Sequence, residues 1–193
     1  MRLPYVSDPP NFTNEDDKAI EERVRQRRGE KGLIALDRTL LHAPLVADGW
    51  NSFFGAIRTK TSLSVSIRET IICRIAVLNK AWYEWGIHSP ILESAPDITT
   101  EQVEAVLCSP QRKPQEDILD AAHAAVLAYT DAITLDVQVP DSVFAQLKAL
   151  FNEKEVVEIT ATIAGYNCVS RILVALDVGE RNAQTGPKGA AKL

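Results

Sequence analysis

Residues 68–88 read RETIICRIAVLNKAWYEWGIH, and the rest of the chain is organised around this stretch. Its first part belongs to a helical pattern from Ser66 to Leu78, in which isoleucine or leucine recurs every three or four residues. Asn79 and Lys80 interrupt that pattern. A second helical segment follows, and it places two of the three tryptophans and one of the three histidines within seven residues. The stretch therefore predicts two consecutive helices, the second with an aromatic and ionisable cluster.

The ionisable residues of this stretch have the spacing of a proton-transfer site. Glu84 and His88 are four residues apart, so they are neighbours on one face of a helix. A carboxylate beside an imidazole keeps the ring basic and fixes its tautomer, so that the pair can move a proton near neutral pH. The break at Asn79 lets the two helices fold back and bring Glu69 close to the pair. The alternative is an ordinary surface ion pair with the aromatic residues in the core.

Three polar residues on the otherwise apolar last helix form a second set of candidates. They are Tyr166, Asn167 and Arg171. Tyr166 and Asn167 would line a pocket, and Arg171 would bind a carboxylate. Hydrogen bonds between helices, or a salt bridge between subunits, would explain the same residues without a substrate.

The remaining histidines and the cysteines are weaker candidates. His42 is expected to cap a loop and His123 to be partly exposed. The three cysteines lie far apart, with no Cys-x-x-Cys and no metal-ligand spacing. Cys73 is four residues from Glu69, but a buried inert thiol is the simpler interpretation. We therefore expect no metal site.

Composition indicates an ordinary globular protein. The chain has 193 residues, of which 46% are hydrophobic and 24% charged, and this length is typical of one domain. The net charge of −5 argues against nucleic acid, because phosphate binding needs concentrated Lys and Arg. No run of 18 apolar residues and no signal-peptide pattern occurs. We expect a soluble cytoplasmic protein that does not bind a membrane.

The periodicity of the whole chain predicts an all-α fold, because no alternating segment bounded by hairpin turns occurs. Thr13 is expected to cap the first helix, and Thr99 a short helix in which Gln102 completes a capping box. Asn152 is expected to cap the last helix. The other predicted helices cover residues 16–28, 34–41, 45–58, 66–78, 82–92, 115–135, 141–151 and 153–178.

The quoted stretch resembles the carboxymuconolactone decarboxylase family, which shares its fold with alkylhydroperoxidase D (AhpD). The family pattern is Arg-Glu at a helix start, an Asn that closes the helix, and a short motif that ends in His. In this chain the pattern is formed by Arg68 and Glu69, then Asn79, then AWYEWGIH over residues 81–88.

The resemblance covers about residues 34–178, because residues 42–57 and 128–178 are similar to the family's lead-in helix and closing half. One departure is informative. The peroxidase branch has a Cys-x-x-Cys dithiol before its histidine, and this chain has Ala81 and Glu84 at those positions. Peroxidase chemistry needs a thiolate and a resolving thiol, so the resemblance implies an acid–base site instead.

The resemblance implies an AhpD-like helical subunit that forms a homo-oligomer (a dimer, trimer or hexamer), with a cofactor-free site at a helical interface. We expect a lyase that decarboxylates, protonates or isomerises a small carboxylated lactone or a related oxygenated ring. The expected catalytic residues are His88, Glu84 and Glu69. The expected substrate-binding residues are Tyr83, Trp85, Trp82, Arg68, Tyr166, Asn167 and Arg171.

Two other functions remain open. One is a non-catalytic binding or assembly protein that has kept the fold. The other is a residual alkylhydroperoxidase-type oxidoreductase that uses Cys73, which the missing dithiol disfavours. The expected organisation is an extended arm with a charged helix over residues 1–33, a helical domain over residues 34–178 and a flexible tail over residues 179–193.

Overall fold

The computed structural model describes residues 1–187, which contain nine α-helices and no strand, so the predicted all-α class is confirmed. Residues 188–193, the end of the predicted flexible tail, lie outside the described residues. The helices are α1 (Glu15–Arg28), α2 (Ala35–Leu40), α3 (Pro44–Thr59), α4 (Val65–Leu78), α5 (Trp82–Glu93), α6 (Thr100–Cys108), α7 (Ala121–Asp136), α8 (Asp141–Leu150) and α9 (Glu153–Leu176).

The chain divides into two compact units, and the first comprises Met1–Thr61 with Leu176–Glu180. In this unit α1 and α2 both pack against α3. The buried carboxylate of Asp37 accepts two hydrogen bonds of 2.7 Å from the Arg28 guanidinium and so ties α2 to the end of α1. A buried charge needs such pairing, because its desolvation is costly.

The N-terminal arm is held by its own chain. The backbone N–H of Arg2 donates to Leu176 O at 2.8 Å, and that of Val6 donates to Arg38 O at 3.1 Å. These bonds lie within the first unit, and they fix the arm along α2 and Leu176, the last residue of α9.

The second unit comprises Ser62–Ala175 with the described residues from Arg181 onward, and it contains α4 to α8 and all of α9 except its last residue. Its central helix is α4, which is buried on nearly every face and packs against α5, α6 and α7. A helix surrounded by protein is apolar all round, and any polar group on it needs a partner.

Arg74, in the middle of α4, meets this requirement through a fully buried ion pair with Asp131 of α7. Arg74 Nε donates to Asp131 Oδ1 at 2.6 Å, and Nη2 donates to Oδ2 at 2.7 Å. Both side chains are 0% exposed. Arg74 Nη1 also donates to Val106 O of α6 at 3.1 Å, so one side chain joins three helices.

Two predicted boundaries were wrong because a local side-chain bond was overlooked. Asn14, not Thr13, caps α1, since its side chain accepts the N–H of Asp16 at 2.9 Å. The helix predicted from residue 115 begins only at Ala121, because Asp120 caps it by accepting the N–H of His123 at 2.9 Å. The capping box of Thr99 and the cap by Asn152 are confirmed.

Replacing Asp120 with alanine tests this cap. Partial burial by itself would raise the pKa of Asp120, but bonds from the backbone and ring of His123 outweigh it and leave the pKa below its ordinary value of 3.8. We expect Asp120→Ala to lower the free energy of unfolding by about 1 kcal/mol near neutral pH.

The pH dependence of this effect follows from the lowered pKa. A carboxyl group with a depressed folded pKa stabilises the fold above its unfolded pKa, and this contribution is lost as the pH falls through the folded pKa. Urea unfolding of wild type and variant near neutral pH and at about pH 3 would show a smaller difference at the lower pH. Asp117→Ala, which changes an exposed acid three residues earlier in the chain, is the control. An equal loss at both pH values would contradict the assignment.

Of residues 1–187, only α9 is long and apolar enough to cross a membrane, with a mean hydropathy of 1.4 in its most apolar window. Half of that window is buried inside the protein. A core helix of a soluble protein passes the same test, so this single helix is weak evidence for a membrane span.

Candidate active site

The site begins with the turn that joins α4 to α5. Asn79 ends α4 and donates its backbone N–H to Ile75 O at 2.9 Å. Lys80 then adopts a left-handed conformation with φ of 54°, and the N–H of Ala81 returns to Ala76 O at 2.7 Å. This reversal packs α5 against α4, as the break at Asn79 predicted.

The reversal brings Glu69 of α4 into contact with His88 of α5. Glu69 Oε2 lies 2.6 Å from His88 Nδ1, and the two side chains are 1% and 6% exposed. The other carboxylate oxygen of Glu69 accepts a bond of 3.3 Å from Nε of Arg68. A buried carboxylate therefore holds one ring nitrogen of the histidine and is itself held by a guanidinium.

Glu84 lies on the same helix as His88 and is also buried, with 2% of its surface exposed. The sequence interpretation placed Glu84 first beside the imidazole and Glu69 second. In the structure the carboxylate on Nδ1 is that of Glu69. Four-residue spacing shows only that Glu84 and His88 share a face of α5, whereas the helix reversal brings Glu69 of α4 to the ring.

Tyr166 of α9 also contacts the histidine. Its ring meets the His88 ring edge to face, with centroids 5.4 Å apart and an interplanar angle of 86°. Tyr166 is 3% exposed. Aromatic rings in this arrangement attract each other and keep water away from the imidazole.

The other aromatic candidates are half-buried on α5. Trp85 packs against a core cluster that includes Cys73 and Leu92. Trp82 lies under the backbone of Gly186, where an added Cβ would come within 2.5 Å of its ring. The aromatic residues of α5 therefore face different surroundings, and Trp85 contributes to the core.

Asn167 uses its side chain for helix packing, which is one of the alternatives that the sequence left open. Its Nδ2 donates to Thr134 Oγ1 of α7 at 2.9 Å and to Ile163 O at 3.0 Å, and its Oδ1 accepts from Asn79 Nδ2 at 3.2 Å. Arg171 is exposed and donates to the backbone oxygen of Asn167 at 2.9 Å. The link from Asn167 to Asn79 was not predicted.

The other two histidines lie elsewhere. His42 belongs to the first unit, where its Nε2 lies 2.6 Å from Pro4 O. His123 is 4% exposed, so the expectation of partial exposure was wrong; its Nδ1 lies 2.7 Å from Asp120 Oδ2, which lets the ring be buried at the start of α7.

Cys73 is fully buried beside the site. Burial raises the pKa of its thiol well above the ordinary value. Three nearby negative charges act in the same direction: those of Glu69, Glu84 and Glu93. A thiol with a raised pKa has little thiolate near neutral pH, and only the thiolate is a nucleophile.

We therefore expect Cys73 to resist alkylation in the native protein. Cys168 is exposed, so iodoacetamide should modify it well before Cys73. A variant with Cys108→Ser and Cys168→Ser isolates the buried thiol. Mass spectrometry should find it unmodified in the native state and modified in denaturant. Modification of native Cys73 as fast as Cys168 would contradict this account.

No protein-family model and no curated protein sequence matches this chain. Several solved structures do match it in fold. A protein of unknown function from Agrobacterium tumefaciens, a candidate antioxidant defence protein AhpD, is 20% identical with a TM-score of 0.63; the match covers 77% of this chain and 95% of that one.

Two further structures cover more of the chain. The debrominase Bmp8 is 17% identical with a TM-score of 0.66, over 92% of this chain and 89% of its own. A cysteine-to-alanine variant of Bmp8 has been solved with 2,3,4-tribromopyrrole. An uncharacterised peroxidase-related protein from Silicibacter is 15% identical with a TM-score of 0.68, over 94% of this chain and 95% of its own.

These identities are too low to transfer a reaction, but the TM-scores and the coverage establish the architecture. The resemblance of residues 68–88 predicted the same architecture from sequence. The chain therefore has the AhpD-like helical fold.

Proposed function

We propose that this protein is a cofactor-independent lyase that decarboxylates a small carboxylated lactone, or a related oxygenated ring, through the proton-transfer pair of Glu69 and His88. The observation that carries the proposal is the buried bond of 2.6 Å between Glu69 Oε2 and His88 Nδ1. A carboxylate on Nδ1 orients the imidazole and stabilises its protonated form, which suits the ring to exchange a proton with a substrate.

Decarboxylation requires an electron sink and a proton. The bond between the ring carbon and the carboxylate breaks, carbon dioxide leaves, and the electron pair passes into the ring as a dienolate. A lactone carbonyl conjugated with that position accepts the charge, so the sink is part of the substrate. The imidazolium of His88 then donates a ring proton to the carbon and recovers a proton from solvent. Glu69 stabilises the imidazolium while it carries the positive charge.

Two further residues support binding of such a substrate. Arg68 holds Glu69 with Nε, and 14% of its side chain is exposed, so its remaining N–H groups are suited to a substrate carboxylate. Buried Glu84 is suited to a second acid–base role close to the pair. The Bmp8 complex with tribromopyrrole supports a small ring as the ligand class for this fold.

A panel of carboxylated lactones, each paired with the same lactone without its carboxylate, tests the proposal. The purified protein is incubated with each compound, and carbon dioxide and the ring product are quantified. Release of carbon dioxide from a carboxylated member, in equal amount to the decarboxylated product, would support the proposal. Consumption without carbon dioxide, or no consumption of any member, would contradict it.

The bond between Glu69 and His88 also supports a second candidate, which is proton transfer without decarboxylation, as in an isomerisation or ring closure. It uses the same residues and differs only in its product. Isotope exchange from heavy water into a recovered or rearranged ring, with the carboxylate retained, would favour this candidate over the first.

We further propose that the protein acts as a cytoplasmic homo-oligomer (a dimer, trimer or hexamer). The support is the partly exposed surface of apolar α9, on which Val157 is 66% exposed and half of the most apolar window lies outside the core. Apolar surface of this kind is suited to burial against a second copy. Light scattering of the purified chain measures the mass directly, and a monomer at micromolar concentration would contradict this part of the proposal.

A further inference from the structure

We propose that Asn79 is a positioning residue whose side chain, held by α9, sets the α4–α5 turn and thereby keeps Glu69 and His88 in contact. The inference rests on the proposed acid–base role of that pair. It assigns to Asn79 a function beyond ending α4.

The side chain of Asn79 is bound to α9 by both of its amide hydrogens. Nδ2 donates to Ser170 Oγ at 2.8 Å and to Asn167 Oδ1 at 3.2 Å. Ser170 is fully buried, so the first bond is shielded from water. A hydrogen bond in such surroundings is stronger than the same bond at the surface, and losing one partner costs more.

The acceptors on α9 are themselves fixed. Both amide hydrogens of Asn167 are used within the protein, one on Thr134 of α7 and one on the backbone oxygen of Ile163. The exposed Arg171 donates a hydrogen bond of 2.9 Å to the backbone oxygen of Asn167. Asn79 is therefore anchored to α7 and α9 together.

The turn itself needs this support. Lys80 has φ of 54°, a conformation that residues other than glycine adopt only at an energetic cost. The residues on both sides of the turn include good helix formers, which would favour continuing α4 as one helix. The turn must therefore be more stable than that continuous helix. The hydrogen bonds from Asn79 to α9 therefore stabilise the α4–α5 turn.

The position of His88 depends on the angle of this turn, because a tilt of α5 at its first residue displaces residues farther along the helix. His88 lies six residues beyond the first residue of α5, which is about 9 Å along a helix axis. A tilt of α5 by about 10° at the turn would therefore move His88 by roughly 1.5 Å. That displacement is enough to break a bond of 2.6 Å, and misplacements of about 1 Å cost roughly 10²-fold in rate.

The test is the exchange rate of the His88 Nδ1 proton, observed by NMR in the free protein. A proton held in a short buried bond to a carboxylate exchanges slowly and resonates far downfield. The signal is assigned by its loss in His88→Gln. Asn79→Leu keeps the approximate shape of the side chain and removes both donors.

We expect the exchange rate to rise about tenfold in Asn79→Leu and by a smaller factor in Ser170→Ala, which removes one of the two acceptors. The Ser170 variant keeps the test valid should the Asn79 variant fail to fold. Ser62→Ala is the matched control: it removes a bond of 2.7 Å to Glu158 just before α4, away from the turn. Its exchange rate should match that of the wild type.

A rate equal to the wild-type rate in both folded variants would overturn the proposal and leave Asn79 as a simple helix end. An exchange rate that rises as much in Ser62→Ala as in Asn79→Leu would also overturn it, because the effect would then reflect general destabilisation. The measurement uses no substrate, so it is independent of whether decarboxylation is the reaction. Failure of the substrate panel would not change the result of the exchange measurement. Failure of the exchange measurement would likewise not change the result of the substrate panel.

Discussion

Replacement of His88 by glutamine is expected to lower kcat for a confirmed lactone substrate by about 10²–10⁴-fold. Glutamine keeps a similar volume in the buried position of His88, so the fold should survive. It cannot exchange a proton near neutral pH, which removes the proposed acid–base step. Because the loss falls on the chemical step, KM should change much less than kcat.

Glu69→Gln provides the companion measurement. The amide can still accept a hydrogen bond, but it carries no charge to stabilise an imidazolium, so we expect an intermediate loss in kcat. His42→Gln is the matched control, because His42 lies in the first unit and is bonded to the N-terminal arm. Undiminished turnover in His88→Gln would contradict the mechanism.

Asp131→Ala is expected to produce the largest loss of stability in the molecule. It leaves the fully buried guanidinium of Arg74 without its carboxylate. Removing one partner of a buried ion pair costs about 3–5 kcal/mol, because the remaining charge is desolvated and uncompensated. For a chain of this size that corresponds to a fall in Tm of about 10 °C.

Asp136→Ala is the matched control for this prediction. Asp136 lies on the same helix and also accepts two bonds from an arginine, Arg112, but both side chains are about half exposed. Exposed pairs contribute little, so its Tm should be close to that of the wild type. Replacing Arg74 with Met and Asp131 with Leu together should recover most of the loss, because apolar residues of similar volume need no partner. Equal destabilisation by the two aspartate variants would contradict this interpretation.

The sequence could predict most helices and the α4–α5 reversal, because these depend on local signals. The spacing of isoleucines in α4, the break at Asn79 and the box of Thr99 with Gln102 are all contained within a few residues. Each of these signals depends only on residues close together in the sequence, within or next to one helix. The start of α7 was missed because residues 115–120 are compatible with a helix, and only the cap by Asp120 excludes them from it.

The sequence predicted that the helix reversal brings Glu69 towards Glu84 and His88, and the structure places Glu69 Oε2 2.6 Å from His88 Nδ1. Spacing alone could not show which of the two carboxylates contacts that ring nitrogen. The partners of Asn79 lie 88 and 91 residues away on α9, so no local pattern indicates them. The pair of Arg74 and Asp131 carried a detectable signal, since each is a lone charge in an apolar helical segment.

The most direct test of the proposed function is decarboxylation in heavy water by the purified chain, with no cofactor or thiol added. We expect the wild type to release one carbon dioxide per product molecule and to place one solvent deuteron on the carbon that carried the carboxylate. His88→Gln should lose both signals together, while His42→Gln should keep them. Turnover that persists in His88→Gln, or that appears only after a thiol is supplied, would contradict the central claim that the pair of Glu69 and His88 performs the proton transfer.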